Sequence, residues 1–562
     1  MKRLWALVFA VGVTGSAVAQ EDTTVWVASP WQRVLRDTPA SKDREVEVKA
    51  AANEFAPFRV IVRAGKSGVN EVTAAMSGLE SDAGTIPASN IQMFRAHYLH
   101  IPEPSHRTEN PKGWYPDALI PFVHPRTGKA LGGDRYDAVP FDIEPGQNGE
   151  IWCDLFVPPG TEAGVYRGVV TVESGAVKLA QVPVQLRVWE FELSDSFALR
   201  SSFGNLGRRV TEMVIPEGTA EEAAAIEDLY IAELLRHRAV PGSLGDIWPA
   251  WTPANGIEDT GQAERLRRLV EEEHVNALRI PFRYQDDPKK AKAYLAAMAE
   301  WLRELGYLDL AYVYLKDEPN DAEEYEIVRQ QGALIHEADP DIRRLCTEQT
   351  VTSNPAWGDL YGAVDIWCPL WGLWDEPTAR ERLELGERLW SYTALCQGPE
   401  GTPWWQIDME PLNFRAPFWV SWRYDITGFL YWSSVYWQAY ETMEGVWERP
   451  AFRDQFWGEG MLLYPGQPAG LEGPVPSIRL KLIREALEDY QYMAMAAGRE
   501  RKGQVWAVTE RQSTDAAEAG NGHGQVDRIV RGVVDSFQDW SRDPQDYQDA
   551  RERLAELILG RK

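Results

Sequence analysis

Cysteine is scarce: 562 residues hold four, Cys153, Cys346, Cys368 and Cys396. None of the short spacings that hold zinc or iron–sulfur groups occurs among them. Three lie in apolar, strand-like runs, where cysteine behaves as a small buried hydrophobe, so no disulfide framework is expected. Histidine is also rare, at eight residues. His97 and His100 sit in a β-rich stretch and read as ordinary sheet residues rather than metal ligands. The H-E-x-x-H, P-loop and G-x-S-x-G patterns are absent. Residues 520–524 are glycine-rich, but no strand precedes them, which makes them loop. Positive charge is short as well, with 58 Lys and Arg against 85 Asp and Glu, a net charge of −27. Removing Lys2 and Arg3, the only charges before residue 20, makes it −29. A polyanion of this size should repel nucleic acid and anionic membranes, so a neutral substrate is expected. After the first 19 residues no apolar run is long enough to span a bilayer.

What is present begins with that first segment. Lys2 and Arg3 precede an apolar run over 4–13, and Ala17-Val18-Ala19 offers small residues at a cleavage site. This is the pattern of a secretory leader over 1–19, so a secreted or periplasmic protein is expected, without membrane insertion. The length calls for two or three domains. Aromatics are abundant, with 24 Trp and 21 Tyr. Most should be core, yet a clustered excess also suits sugars, whose C–H faces stack on aromatic planes.

Residues 20–195 read as a β-sandwich: alternating runs over 46–62, 151–157, 166–172 and 182–189 are divided by turn signals, with no long helical period. From 196 to 470, strand-like runs alternate with helical ones. The runs fall at 199–203, 275–282, 308–315, 344–347, 364–370, 388–395 and 426–433, with helices over 288–305 and 321–336 among them. Seven or eight βα units in this length predict a (β/α)8 TIM-like barrel. An open doubly wound sheet is the alternative, but no Gly-rich phosphate loop follows its early strands. Residues 471–562 read as a helical C-terminal region. In it, 477–495 shows one apolar face (Ile483, Leu487, Tyr490) and an i,i+4 pair between Arg484 and Glu488, residues 503–527 read as a loose loop, and 547–559 as a closing helix.

The run at 310–316 is apolar and aromatic, and it stops at Asp317-Glu318-Pro319. Charges at the end of a buried strand are unusual, and in a barrel that end faces the chemistry. Cleavage of a glycosidic bond uses carboxyl pairs, normally held about 5–5.5 Å apart across the sugar in retaining enzymes. Adjacent residues rarely straddle a sugar. They fit substrate assistance better: the sugar's 2-acetamido oxygen attacks, one carboxyl serves as acid/base and the other orients the acetamide.

Several segments together resemble glycoside hydrolase family 123, the retaining β-N-acetylgalactosaminidases. They are 113–121 (GWYPDALIP), 151–168, 317–319, 389–393, 428–432, 460–466 and 477–490. The resemblance implies Glu318 as acid/base and Asp317 as the acetamide-orienting carboxylate. It also implies a glycan with a terminal β-linked 2-acetamido sugar as substrate. Further substrate-binding candidates rest on position alone: Arg279 and Glu348 near strand ends, Tyr392 and Trp432 closing two later strands, and Trp371 and Trp405, with Trp404 and Trp437, in loops just beyond strands. No metal or organic cofactor is expected, since carboxyls suffice for the reaction. A glycosidase for another sugar on the same scaffold and a non-catalytic glycan-binding protein are the alternatives; the latter would need no adjacent acids.

Overall fold

The structure, a computed structural model, describes residues 22–131, 133, 135–395, 401–498 and 522–561. The expected leader, Cys396 and residues 503–521 of the expected loop lie outside them.

The N-terminal part is built from twelve strands: β1 (Thr24–Ala28), β2 (Val46–Ala52), β3 (Glu54–Arg63), β4 (Val69–Met76), β5 (Leu79–Ser81), β6 (Gly84–Ile86), β7 (Ile91–Ile101), β8 (Gly113–Pro121), β9 (Phe141–Ile143), β10 (Asn148–Val157), β11 (Gly164–Ser174) and β12 (Val177–Glu192). One sheet runs β1-β3-β10-β7-β8, and the other runs β2-β12-β11-β4-β9 with β5 and β6 on its side. Only the β2–β12 pairing is parallel; every other named pairing in these two sheets is antiparallel. Strand alternation turns Val60, Val62, Ile151, Cys153 and Leu155 of the first sheet, and Val170, Val172, Val184 and Leu186 of the second, into one shared apolar cluster. The opposite face of the first sheet, through Phe94, Ala96 and Trp152, joins the core of the following domain. His97 on β7 packs its ring against Tyr136 and Trp447, and burial pushes its imidazole down to about 3. No group of His, Cys, Asp and Glu among the described residues could hold a metal ion, and no described helix is long and apolar enough to cross a membrane.

β13 (Arg200–Phe203), α1 (Gly207–Val214), α2 (Ala220–Arg236) and a small hairpin of β14 (Ala250–Thr252) and β15 (Gly256–Glu258) open the next region. Then α3 (Gln262–Glu271), β16 (Leu278–Ile280), α4 (Pro288–Leu305), β17 (Ala311–Tyr314), α5 (Ala322–Ala338), β18 (Arg343–Cys346), β19 (Ile366–Trp367), α6 (Glu376–Glu384), β20 (Arg388–Tyr392), α7 (Ala416–Arg423) and β21 (Gly428–Tyr431) follow. The helix over 288–305 stops and starts where its sequence says. Asp287 accepts from the Lys290 N–H at 3.1 Å with Pro288 behind it, and Gly306 ends it at φ +83°.

Seven parallel strands form one sheet in the order β13-β21-β20-β19-β18-β17-β16. The order is that of a ring, with β13 beside the last strand, but among the described residues no eighth strand closes it. Residues 239–242 lie along β13 instead: the Val240 carbonyl accepts from Phe203 N–H at 2.8 Å, and Gly242 N–H donates to the Gly204 carbonyl at 2.6 Å. Pro241 has no N–H to extend a ladder toward β16.

Inside the curve of this sheet, Tyr312, Leu345, Ile366, Cys368, Trp390, Tyr392 and Leu430 make an apolar cluster of their own. Its floor depends on Gly428, where a Cβ would lie 2.2 Å from the Trp390 indole.

The C-terminal part holds α8 (Met443–Glu448), four two-residue strands in two antiparallel pairs between 451 and 476, α9 (Ile478–Ala496), α10 (Gly522–Val530), a hairpin at 534–540 and α11 (Pro544–Ile558). Two expectations are corrected. Residues 522–527 belong to α10 rather than to a loop. Helix α9 has no solvent face, being buried at every position from 478 to 494. Wedged between the first sheet, α7 and α11, it turns its charges onto neighbours. Arg484 pairs with Asp154 at 2.7 Å and with Glu485 at 2.8 Å, whereas Glu488 faces Arg238 at 3.8 Å.

Candidate active site

Parallel strands place all their C-terminal ends on one face, where side chains from distant parts of the chain converge. Asp317 and Glu318 follow β17, Thr347 and Glu348 follow β18, Tyr392 ends β20 and Trp432 follows β21. Asp317 is exposed and Glu318 half-buried. The layer just below them is aromatic. Tyr312 and Tyr314, two apart on one strand, share a face, as do Trp390 and Tyr392. The upper member of each pair therefore sits with its hydroxyl at the rim.

Those hydroxyls hold the acids. Asp317 Oδ1 accepts from the Tyr314 hydroxyl at 2.7 Å and from Thr347 Oγ1 at 2.8 Å. Glu318 Oε1 accepts from the Tyr392 hydroxyl. Burial, with the adjacent Glu318 charge second, pushes the Tyr392 phenol far above its ordinary value; burial and Asp317 do the same to Tyr314. Both phenols therefore keep their protons and act as donors. Glu318 stands at φ +42°, in the left-handed region that residues with a Cβ rarely adopt. Its N–H donates to Thr347 Oγ1 at 3.1 Å.

Arg279, in the middle of β16, lays its guanidinium over the Tyr314 ring, 4.4 Å from the centroid. Glu348 is buried; its Oε1 accepts from the Tyr325 hydroxyl at 2.8 Å, from Gln349 Nε2 and from Ser353 Oγ. Burial raises its carboxyl above the ordinary range, and the charge of Glu318 adds to that. Trp432 is half-buried at the rim and its Nε1 donates to Glu459 Oε1 at 2.7 Å. Glu459 is itself buried, which raises its carboxyl. The indole rests on Gly460, where a Cβ would lie 2.4 Å from the ring.

Two of the tryptophan candidates lie elsewhere. Trp371 is fully buried against Phe537, with ring centroids 4.4 Å apart, so it anchors the C-terminal hairpin and offers no face to a ligand. Trp405 is fully buried among Phe203, Phe429 and Tyr431, and its Nε1 donates to the Asn413 carbonyl at 3.0 Å. Trp404 and Trp437 are likewise enclosed. Reading position alone missed Tyr314 and Thr347. The first was visible as the interior-facing neighbour of Tyr312, and the second as the residue directly ahead of Glu348.

The glycoside hydrolase 123 catalytic-domain family model matches residues 264–496, which include every strand from β16 to β21 and both acids. Residues 264–496 thus match a family 123 glycoside hydrolase catalytic domain. Hydrolysis of a glycosidic bond in a glycan is the chemistry that goes with it. A family 123 glycoside hydrolase from Clostridium perfringens has a similar fold over both whole chains: TM-score 0.65, 13% identity, 96% of this chain and 97% of that one. A family 39 glycoside hydrolase from Bacteroides cellulosilyticus overlaps 79% of this chain and 82% of its own at TM-score 0.31 and 9% identity, too distant for argument. No curated protein matches the chain.

Proposed function

We propose that this family 123 domain belongs to an exported, retaining β-N-acetylgalactosaminidase that uses its substrate's acetamide as nucleophile. The observation that carries the reading is the adjacent acid pair. Each carboxyl is held through one oxygen by hydroxyl donors, and among the described residues Asp317 Oδ2 and Glu318 Oε2 accept no hydrogen bond. Asp317 Oδ2 is then available to the acetamide N–H, and its charge offsets the forming oxazolinium. Glu318 Oε2 is available to the glycosidic oxygen as acid and later to water as base. The seven-stranded ring is read as a (β/α)8-type barrel left open beside Pro241, and the N-terminal sheets as a β-sandwich. The leader over 1–19 supports export. The Clostridium perfringens protein acts in glycolipid glycan hydrolysis, which supports a glycan as substrate.

The test is a set of aryl β-glycosides of GalNAc, GlcNAc and galactose. The 2-acetamido sugars should turn over and the 2-hydroxy sugar should be very slow, because no protein carboxyl serves as nucleophile. Efficient hydrolysis of the plain galactoside, or a sugar ester trapped on Asp317, would instead favour a glycosidase for another sugar.

Trp432 is assigned as a wall of the sugar site, with Glu459 fixing its indole. Glu459→Leu removes the acceptor and should raise KM about tenfold, equivalent to roughly 1.4 kcal/mol. Glu459→Gln still accepts and should stay near wild type. Equal KM values for the two variants would remove Trp432 from the sugar site.

A further inference from the structure

We propose that Thr347 is the positioning residue that sets Asp317 and Glu318 apart and holds them in register. The proposal rests on the reading of those two acids given above. Successive residues on a chain leave the backbone from nearly one point, yet these two side chains serve different partners. Asp317 turns to Tyr314 and Thr347, and Glu318 turns to Tyr392, 74 residues on in sequence. The left-handed backbone of Glu318 produces the divergence, and for a residue with a Cβ that conformation is strained. Something must hold it.

Thr347 is placed to do so. It is buried, at 4% exposure, directly after β18, the strand beside the one that leads into the acids. Its single hydroxyl does two jobs, as one donor and one acceptor allow. It donates to Asp317 Oδ1 at 2.8 Å and accepts the Glu318 N–H at 3.1 Å. The Tyr314 hydroxyl lies 3.2 Å from the same oxygen. Asn320 Nδ2 donates to the Glu318 carbonyl and so holds the strained residue from its other side. One side chain thus ties the carboxylate of the first acid to the backbone of the second. Neither acid can shift without loosening that tie, so the free oxygens, Asp317 Oδ2 and Glu318 Oε2, keep a fixed relation.

Thr347→Val keeps the shape and deletes both hydrogen bonds; Thr347→Ser keeps both bonds and deletes a methyl. On an aryl β-GalNAc substrate, Thr347→Val should lose about 100-fold in kcat, the scale of a misplaced catalytic group, with KM changed less than about threefold. Thr347→Ser should return most of that loss. A near wild-type kcat in Thr347→Val, or a Ser variant as slow as the Val variant, overturns the proposal. A crystal structure of Thr347→Val decides the matter without any substrate. Glu318 should leave the left-handed region and Asp317 should part from its place beside Tyr314, and an unmoved pair overturns the proposal. The substrate arm run on the wild type and on Glu318→Gln keeps the two readings separate. Failure of those two to behave as enzyme and dead variant counts against the assigned function, while the crystal result still rules on Thr347.

Discussion

Glu318→Gln should lower kcat on an unactivated glycoside by about 10² to 10⁴-fold, the usual contribution of a general acid, while thermal unfolding stays unchanged. The amide oxygen of Gln can still accept the Tyr392 hydroxyl that Glu318 Oε1 now accepts, so the site keeps its shape. What is lost is a group that can give up a proton to the leaving oxygen and take one back from water. The deficit should grow as the leaving group becomes more basic, because a good leaving group departs without protonation. A series of aryl and alkyl β-GalNAc glycosides measures this dependence. Equal rates for wild type and variant on the alkyl member, with equal unfolding curves, would take the acid role away from Glu318.

The parts of this site that could be read in advance were those written locally. An apolar run that breaks at Asp317-Glu318-Pro319 announces itself within ten residues, and so does the Asp287-Pro288 start of α4. Of the hydroxyls that fix the acids, Tyr314 is local and the other two are written elsewhere. Thr347 comes from the next strand, and Tyr392 from a strand three βα units away. Nothing near Asp317 in sequence points to either; Tyr392 stands out only as the end of its own strand, and its bond to Glu318 is a product of the fold. The tryptophans show the converse failure. A loop after a strand can line a mouth or carry a wall, and Trp371 became a wall because the hairpin at 534–540, far along the chain, packs on it. Helix α9 was misread for the same reason. Arg484 reads as the local i,i+4 partner of Glu488 because Asp154, which it meets directly, stands more than 300 residues upstream.

Asp154→Asn should destabilise the protein by about 3–5 kcal/mol, the usual result of removing one partner from a buried ion pair. Asp154 on β10 is fully buried and meets Arg484 at 2.7 and 2.9 Å and Lys481 at 2.8 Å. Both cations lie on α9, inside the matched catalytic domain, so this cluster bolts the N-terminal sheets to it. Asparagine would leave two buried cations, with Glu485 still paired to Arg484 and only the weaker influence of Glu488 on Arg484 and of Glu233 on Lys481 beside it. The pH dependence gives the mechanism a signature. Arg484 and Lys481 together hold the Asp154 carboxyl well below its ordinary 3.8 against the opposing effect of burial. A carboxyl with a lowered folded pKa contributes stability above its unfolded value and loses it as pH falls further. The gap between wild type and variant should therefore close in acid. Burial already pushes the Lys481 ammonium down to about 8 with Asp154 beside it. Without that carboxylate the ammonium should lose its proton at lower pH still, so the variant recovers some stability as pH rises past neutrality and the gap narrows there too. Adding Lys481→Met to Asp154→Asn removes one stranded charge and should restore part of the loss. Denaturant unfolding from pH 2 to 9 measures all three proteins. A single variant within 1 kcal/mol of wild type at pH 7, or a gap that ignores pH, would mean that α9 is held by packing alone and that its charges do not fasten the two domains.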